Sequence, residues 1–179
     1  LEAPEREQYN LSSIEVIQNG GARLQPELRR RVKERFSCQY QEDYGTAEGL
    51  INLTRLDDPE ELILNSSGSP ICEDDEIKIV DDEGNEVPDG TPGELLVRGP
   101  YTIRGYYDNP EANEKAFTAD GFYHIGDVVR KEGRYLFTEG RKQDLVNRGG
   151  EKIRCHEIED HILAHPAVRH TRLLPLPDQ

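Results

Sequence analysis

Methionine and tryptophan are absent from the 179 residues, and cysteine is scarce. The three cysteines, Cys38, Cys72 and Cys155, are odd in number and widely spaced. The sequence therefore offers neither a disulfide framework nor a Cys-x-x-Cys zinc pattern, and we interpret the thiols as packing residues in a reducing, cytoplasmic compartment. Because translation products start with methionine, a chain that starts with Leu1 is expected to be a fragment or a processed piece.

Long apolar runs and excess positive charge are also missing. No stretch approaches the roughly 20 apolar residues that a transmembrane helix needs, and no signal segment is visible, so we predict no membrane partner. The formal net charge of -14 at pH 7 repels phosphate backbones, which argues against nucleic-acid binding. A small phosphate ligand is still compatible with this charge, because local cations, backbone N–H groups and Mg²⁺ outweigh net charge at short range.

Several common catalytic signatures do not occur. The chain has no Gly-x-Ser-x-Gly, GxxxxGK[S/T] or GxGxxG sequence. His156 and His161 are five residues apart, whereas the helical zinc pattern of metalloproteases needs four. His161 and His165 have that spacing, but a solvated helix face is the simpler interpretation. The acidic run 57–61 lacks the ligand spacing of a calcium loop.

The first 50 residues predict a β-loop-α-β unit. Segment 13–21, "SIEVIQNGG", indicates a strand that ends in paired glycines. Segment 25–36 predicts a helix, because Pro26 suits the first helical position and apolar residues recur every four positions. Segment 38–45, "CQYQEDYG", indicates a second strand, so a parallel pair is expected.

The fold class predicted for the whole chain is mixed α/β. Residues 51–139 carry short strands separated by Asp-Gly, Glu-Gly and Pro-Gly turns, which predict an antiparallel sheet or a small barrel. Segment 155–168 predicts an amphipathic helix that ends near Pro166, followed by the strand-like "RLLPL" of residues 172–176.

Three short segments suggest a ligand site, and each also has a simpler interpretation. In "YGTAEG", residues 44–49, the Tyr44 ring is suited to lie on a purine and Glu48 to hold Mg²⁺, but the segment also fits an ordinary turn. In "NGGAR", residues 19–23, bare backbone allows close approach of a flat ligand, or simply forms a βα loop. In "YHIGD", Asp127 is suited to bind a ribose diol, or it merely ends a hairpin strand.

Taken in order, five segments resemble the core motifs of the adenylate-forming superfamily, which contains acyl-CoA synthetases, luciferases and nonribosomal adenylation domains. The segments are "NGGARL", "YGTAEGLINLTRLDDPEE", "GELLVRGPYTIRGYY", "GFYHIGD" and "GRKQDLVNRGGEKI". They resemble most closely the stand-alone aryl-acid-AMP ligases of siderophore biosynthesis, which activate 2,3-dihydroxybenzoate or salicylate. The resemblance extends from residue 14 to residue 179.

The resemblance implies ATP and Mg²⁺ as cofactors and assigns roles to individual residues. Glu48, Arg141 and Lys152 would be catalytic, with Glu48 binding Mg²⁺, while Ala47 and Ile51 would wall the aryl pocket. The nucleotide would contact Gly20, Gly21, Ala22, Tyr44, Gly45, Thr46, Asp127 and Arg141.

The resemblance also implies a domain organisation and a partner. Residues 1–139 would belong to a large adenylation domain, 140–143 would form a hinge centred on Gln143, and 144–179 would begin a mobile lid. Gly149 and Gly150 would let the phosphopantetheine arm of an aryl carrier protein pass close to the backbone. The superfamily's phosphate loop would lie upstream of this chain and its catalytic lysine downstream, so the chain alone is expected to catalyse little.

Departures from the pattern keep other interpretations open. Gln143 replaces the usual Asp or Lys of the hinge, and His124-Ile125 replaces a common Arg-Thr pair. Leu53 stands where aryl ligases often have Tyr. The alternatives within the superfamily are an amino-acid adenylation domain and an acyl-CoA synthetase; outside it, a non-catalytic nucleotide- or carrier-binding remnant.

Overall fold

A computed structural model describes residues 8–142, 146–148, 151–153, 155–163, 165 and 167–174. The chain divides into two compact units. One contains Leu1–Glu76, Arg98–Arg104 and Glu132–Phe137, and the other contains Ile77–Val97, Gly105–Lys131 and Thr138–Gln179. In the described part of the chain, no helix is long and apolar enough to cross a membrane.

The first unit is built on a β-α-β arrangement, as the sequence predicted. Strand β1 (Val16–Asn19) runs parallel to β2 (Gln39–Gly45), and helix α1 (Pro26–Phe36) connects them. Pro26 begins the helix, and Ser37 ends it in the left-handed conformation with φ of 50°. Val32 packs against Tyr40 and Ile63, so the apolar face of α1 forms the core with the sheet.

Two further strands extend this sheet. Strand β3 (Ile51–Leu53) pairs antiparallel with β2, and β4 (Ser69–Pro70) pairs antiparallel with β3 after helix α2 (Glu60–Asn65). Two strands of the predicted β-rich part 51–139 thus join the first sheet, because the loop 46–50 folds the chain back onto β2. The second sheet begins only at Glu76.

The second sheet has the strand order β5-β6-β7-β8, an open sheet and not a barrel in the described residues. Its strands are β5 (Glu76–Val80), β6 (Gly93–Arg98), β7 (Tyr123–Glu132) and β8 (Tyr135–Arg141). Strand β6 is antiparallel to β7, with an irregularity in register between Glu94 and Leu96. Val80, Leu96 and Phe122 form the core of the second unit. Helix α3 (Pro110–Ala116) precedes β7, and the Asn109 side chain caps it by accepting from Ala112 N at 3.2 Å.

The C-terminal part contains a pair of antiparallel strands and a helix. Strands β9 (Val146–Arg148) and β10 (Glu151–Ile153) are antiparallel, and helix α4 (Cys155–Leu163) follows, where the sequence predicted it. The strand expected over 172–176 is not formed by its described residues, 172–174. There the backbone N–H of Leu173 donates to Glu159 Oε1 at 2.8 Å instead of joining a sheet.

Candidate active site

The Gly20–Ala22 loop follows β1 at the edge of the sheet where β2 also ends. Ligands of parallel αβ sheets bind outside the carboxyl ends of the strands, so this edge is a favourable place for a site. A Cβ at Gly20 would lie 3.1 Å from Asp43 Oδ2, and Gly21 has φ of +78° with open space around it. The loop therefore presents exposed, bare backbone, as the sequence predicted for a ligand that approaches closely.

The loop 46–50 follows the predicted nucleotide residues Tyr44 and Gly45 and contains the predicted metal ligand, Glu48. Gly45 and Ile51 are paired across β2 and β3, and the Thr46 hydroxyl donates to Gly49 O at 2.8 Å. A Cβ at Gly45 would lie 2.2 Å from the carbonyl oxygen of Leu50, so a larger residue does not fit there. The loop exposes Ala47 and leaves the side chains of Tyr44 and Glu48 half-buried.

Segment 99–103 supports this loop, a role that sequence reasoning missed. Ile103 N donates to Glu48 O at 2.7 Å, and the Tyr101 hydroxyl accepts from Ile51 N at 3.1 Å. A Cβ at Gly49 would lie 2.5 Å from the Thr102 Cα. The segment belongs to the quoted "GPYTIRGYY" motif, but spacing along the chain gives no indication that it contacts residues 48–51.

Burial and the hydrogen bond from the Tyr101 hydroxyl to Asp75 Oδ2, at 2.5 Å, raise the pKa of Tyr101 to about 12. Tyr101 therefore stays protonated and donates to Asp75 while it accepts from Ile51.

Asp127 and Arg141 meet in the second unit. Asp127 lies on β7 and is 7% exposed, and Arg141 ends β8 with its Nε 3.5 Å from Asp127 Oδ1. An open cavity of about 350 Å³ is lined by Ile125, Gly126, Arg141 and Lys142. A carboxylate beside a guanidinium at an open cavity is suited to bind hydroxyl and phosphate groups of one ligand.

The departure at His124 has a structural counterpart. His124 Nδ1 lies 2.9 Å from Glu94 Oε1, and Lys142 Nζ donates to Glu94 Oε2 at 2.7 Å. Burial opposes ionisation of Glu94, but the hydrogen bonds from Lys142 and His124 outweigh it, so the pKa of Glu94 is lowered. The same bond to Glu94 raises the pKa of Lys142. His124 and Lys142 are thus held by one carboxylate next to Arg141.

Glu48 fits a magnesium ion that substrate phosphates also hold. Among the described residues, no three His, Cys, Asp or Glu side chains cluster into a protein-only metal site. Mg²⁺ usually takes one or two carboxylates together with waters and substrate phosphates, so a single carboxylate on a loop suffices.

The predicted lid residues are covered only in part. Gln143, Gly149 and Gly150 lie outside the described residues. Lys152 lies in β10, paired with Asn147 of β9, and only its backbone is described. The thiol-passage and hinge roles therefore stay predictions.

A family comparison bears on both loops of the first unit. The model of the family described as "AMP-binding enzyme" matches residues 1–107, a range that includes the Gly20–Ala22 loop and the loop 46–50. This chain belongs to the AMP-binding enzyme family.

Within the AMP-binding enzymes, two curated relatives are about equally similar to this chain. The 2,3-dihydroxybenzoate-AMP ligase of Bacillus subtilis (strain 168) is 50% identical over 181 residues, covering 100% of this chain and 33% of the relative. The 2-hydroxy-7-methoxy-5-methyl-1-naphthoate–CoA ligase of Streptomyces carzinostaticus is 49% identical over 176 residues, covering 97% and 31%.

A solved structure of the anthranilate CoA ligase AuaEII in complex with anthranoyl-AMP has the same fold. It is 28% identical, with a TM-score of 0.85, over 98% of this chain and 33% of that one. The chain thus spans about a third of the length of the AMP-binding relatives that it matches.

Proposed function

We propose that the complete protein activates an aryl carboxylic acid, 2,3-dihydroxybenzoate or salicylate, with ATP, as in siderophore biosynthesis. The products of the first step are aryl-AMP and pyrophosphate. The acyl group then passes to the phosphopantetheine thiol of an aryl carrier protein. The observation that carries the proposal is the edge of the first sheet, where bare Gly20–Ala22 backbone follows β1, half-buried Tyr44 lies at the end of β2, and half-buried Glu48 lies in the loop after β2. The 50% identity to a 2,3-dihydroxybenzoate-AMP ligase supports the aryl branch.

The first unit would bind the base, the metal and the aryl ring. In this proposal Tyr44 stacks on adenine, and Gly20, Gly21, Ala22, Gly45 and Thr46 contribute backbone close to the nucleotide. Ala47 is small and exposed, which leaves room for a ring, and Ile51 supplies an apolar wall with 38% of its surface exposed.

The second unit would bind the ribose and the phosphate side. Asp127 accepts hydrogen bonds from the ribose hydroxyls, and Arg141 contacts the ribose or the phosphate. The 3.5 Å approach of Arg141 Nε to Asp127 Oδ1 supports this assignment, because it holds the exposed guanidinium beside the carboxylate.

In the proposed reaction an oxygen of the aryl carboxylate forms a bond to the α-phosphorus of ATP, and the bond to pyrophosphate breaks. Glu48 would hold Mg²⁺, which would supply positive charge for the charge that develops on the phosphoryl oxygens. Arg141 stabilises the same charge, and the loops of the first unit align the two substrates, so positioning and electrostatics supply most of the rate. In the second step the thiol adds to the acyl carbon, and AMP leaves with the bonding electrons.

The C-terminal residues would act in the second step. We place the hinge at 140–143 around Gln143 and the start of the lid at 144–179. Gly149 and Gly150 would then border the path of the phosphopantetheine arm, and Lys152 would face the anionic partner.

Coenzyme A is the second candidate acceptor. The 49% identical naphthoate relative and the AuaEII neighbour are both CoA ligases, so similarity alone does not separate a carrier protein from CoA. Amino-acid adenylation is a further alternative. A protein without adenylation activity would instead be a non-catalytic remnant that binds a nucleotide or a carrier protein.

The test is ATP–pyrophosphate exchange by the complete protein with salicylate, 2,3-dihydroxybenzoate, benzoate, medium-chain fatty acids and amino acids. Exchange with hydroxylated benzoates alone would support the proposal, and exchange with fatty or amino acids would replace it. Incubation of the active protein with CoA or with phosphopantetheinylated carrier protein then identifies the acceptor by the mass of the acyl thioester.

A further inference from the structure

A charged pair is buried in the first unit behind the Gly20–Ala22 loop. Arg29 of α1 and Glu42 of β2 are 3% and 4% exposed, and Arg29 Nη2 donates to Glu42 Oε1 at 2.8 Å. Removing two charges from water is costly, and apolar residues of the same volume often stabilise such a position equally well or better. The pair therefore calls for a role other than stability.

The pair is connected to two carbonyl groups of the segment between β1 and α1. Arg29 Nε donates to Leu24 O at 2.7 Å. The Asn19 amide nitrogen donates to Ala22 O at 3.0 Å and to Glu42 Oε2 at 3.3 Å. Arg29 and Asn19, two of the donors to Glu42, thus fix the carbonyl groups of residues 24 and 22.

The same network is anchored to the rest of the first unit. Arg29 Nη1 donates to Ser66 O at 2.8 Å and to Ile63 O at 3.3 Å, at the end of α2. Tyr40 donates its hydroxyl to Glu42 Oε2, and Glu42 N donates to Thr54 Oγ1 at 2.9 Å. The carboxylate is therefore held from several elements and is a fixed point for the loop.

The loop needs such a fixed point because its own chemistry makes it flexible. Gly20 and Gly21 have the largest conformational freedom of any residue type, and Gly21 has no atom within 4 Å of a Cβ position. A loop that contacts a ligand through bare backbone loses affinity if it must first be ordered.

We propose that Glu42, acting through Arg29 and Asn19, is a positioning residue that holds the backbone of residues 20–24 in the conformation that binds the nucleotide and the aryl acid. The nature of these ligands rests on the proposed function. The hold on the loop itself does not depend on it.

The first test is Asn19→Ala in the complete protein, which removes the tie to Ala22 and leaves the Arg29–Glu42 pair in place. We expect faster amide hydrogen exchange in residues 20–24, and a KM for ATP raised about 5- to 10-fold with kcat changed less than about twofold, the size expected for one ordering hydrogen bond. Lys33→Ala is the matched control. It removes an exposed ion pair between Lys33 of α1 and Glu60 of α2, 2.7 Å apart, and should change neither the amide exchange nor the KM for ATP.

The second test is Arg29→Lys, alone and combined with Asn19→Ala. Lysine keeps a positive charge for Glu42 but lacks the planar fork that also reaches Leu24 O and Ser66 O. If Glu42 acts through both residues, the effects of the two substitutions on KM should be non-additive.

Two results would overturn the inference. One is unchanged exchange of residues 20–24 in Asn19→Ala; the other is faster exchange with an unaltered KM for ATP and for the aryl acid. If the unsubstituted protein shows no adenylation, the proposed function fails separately. The exchange of residues 20–24 with and without ATP then decides whether the network orders a nucleotide loop: equal ATP protection in both variants overturns it, and loss of protection in Asn19→Ala supports it.

Discussion

Single side chains with two partners carry much of the geometry around the proposed site, and Tyr101 is one of them. Its hydroxyl accepts from Ile51 N and donates to Asp75, and so connects the proposed aryl wall to a second segment of the first unit. Such a residue influences ligand binding without touching the ligand, because it fixes the backbone of another residue that does touch it.

We predict that Tyr101→Phe lowers the free energy of unfolding by about 0.5–1.5 kcal/mol, because it removes the hydrogen bonds to Ile51 N and to the Asp75 carboxylate, both of which water can reach. It should also raise the KM for the aryl acid more than that for ATP. The measurements are urea unfolding and steady-state kinetics of the complete protein. Tyr107→Phe is the control, since the Tyr107 side chain is fully exposed. Equal effects of the two substitutions would contradict the role of Tyr101.

The pKa of Tyr101 gives an independent check on the same residue. Its value of about 12 in the folded chain is above the ordinary value of 10.0. A raised pKa means that the stabilisation is fully present below pH 10 and is lost as the pH rises towards 12. In an absorbance titration, Tyr101→Phe should remove a tyrosine that ionises late, and removal of one that ionises near pH 10 would contradict the assigned environment.

For Asp120 we predict the opposite dependence of stability on pH, in the acid range. Hydrogen bonds from Thr118 and Lys78 lower the pKa of Asp120 to about 2, from the ordinary 3.8. Its stabilisation is therefore present above about pH 4 and is lost as the pH falls towards 2. We expect the urea midpoint of Asp120→Asn to be lower than that of the unsubstituted protein at pH 5, with the difference vanishing near pH 2. A difference independent of pH would show that the carboxylate charge is not involved.

The sequence could predict these residues only where they belong to a local pattern. Gly20, Gly21, Tyr44 and Glu48 stand out because strand ends and glycine-rich turns are visible along the chain. Arg29 and Glu42 do not stand out, since a charged residue on a predicted helix or strand is normally expected at the surface. Their pairing depends on the packing of α1 against β2, which no short segment contains.

Among the elements, the connection from α2 to β4 shows how backbone contact fixes a sheet edge. Gly68 has φ of +75°, and a Cβ there would lie 2.2 Å from the Leu53 carbonyl carbon. Gly84 has a similar φ of +84° but has no atom within 4 Å of that position. Alanine substitutions at these two glycines therefore distinguish the free-energy cost of a left-handed conformation from that of a clash with the backbone.

We predict that Gly84→Ala lowers the free energy of unfolding by about 1–2 kcal/mol, the usual cost of a left-handed conformation. Gly68→Ala should cost considerably more, because β3 or β4 must also move. The check is a comparison of urea unfolding curves for the two variants. If the two variants are equally destabilised, the backbone around Gly68 and β3 moves readily enough to accommodate the added methyl group.

Elements were predictable in proportion to their length. The apolar period of α1 and the paired strands around it gave the β-α-β unit, which the structure confirms. Strands β3 and β4 contain three and two residues, too few for a period, so the sequence did not show that they complete the first sheet. Their position follows from the loop 46–50 and from contacts of residues distant in sequence.

Considered as a whole molecule, the chain carries many of the proposed binding residues but spans about a third of its relatives. The net charge of -14 is unfavourable for a triphosphate, and the proposal assigns only Arg141 and a metal ion on Glu48 to offset it. Charge developing on a transferred phosphoryl group needs several such donors at once. Adenylation should therefore require parts of the relatives that lie outside the match.

We predict that the 179-residue chain assayed alone is folded, by circular dichroism and a cooperative urea transition, yet gives no measurable ATP–pyrophosphate exchange with hydroxybenzoates. The complete protein should give exchange that EDTA abolishes and Mg²⁺ restores, because in the proposed site Glu48 and the phosphates would share the ion. A Glu48→Gln variant of the complete protein should need a higher Mg²⁺ concentration for half-maximal exchange, whereas Glu61→Gln, exposed on α2, should not. Exchange by the isolated chain would contradict this prediction and mean that its own residues suffice for adenylation.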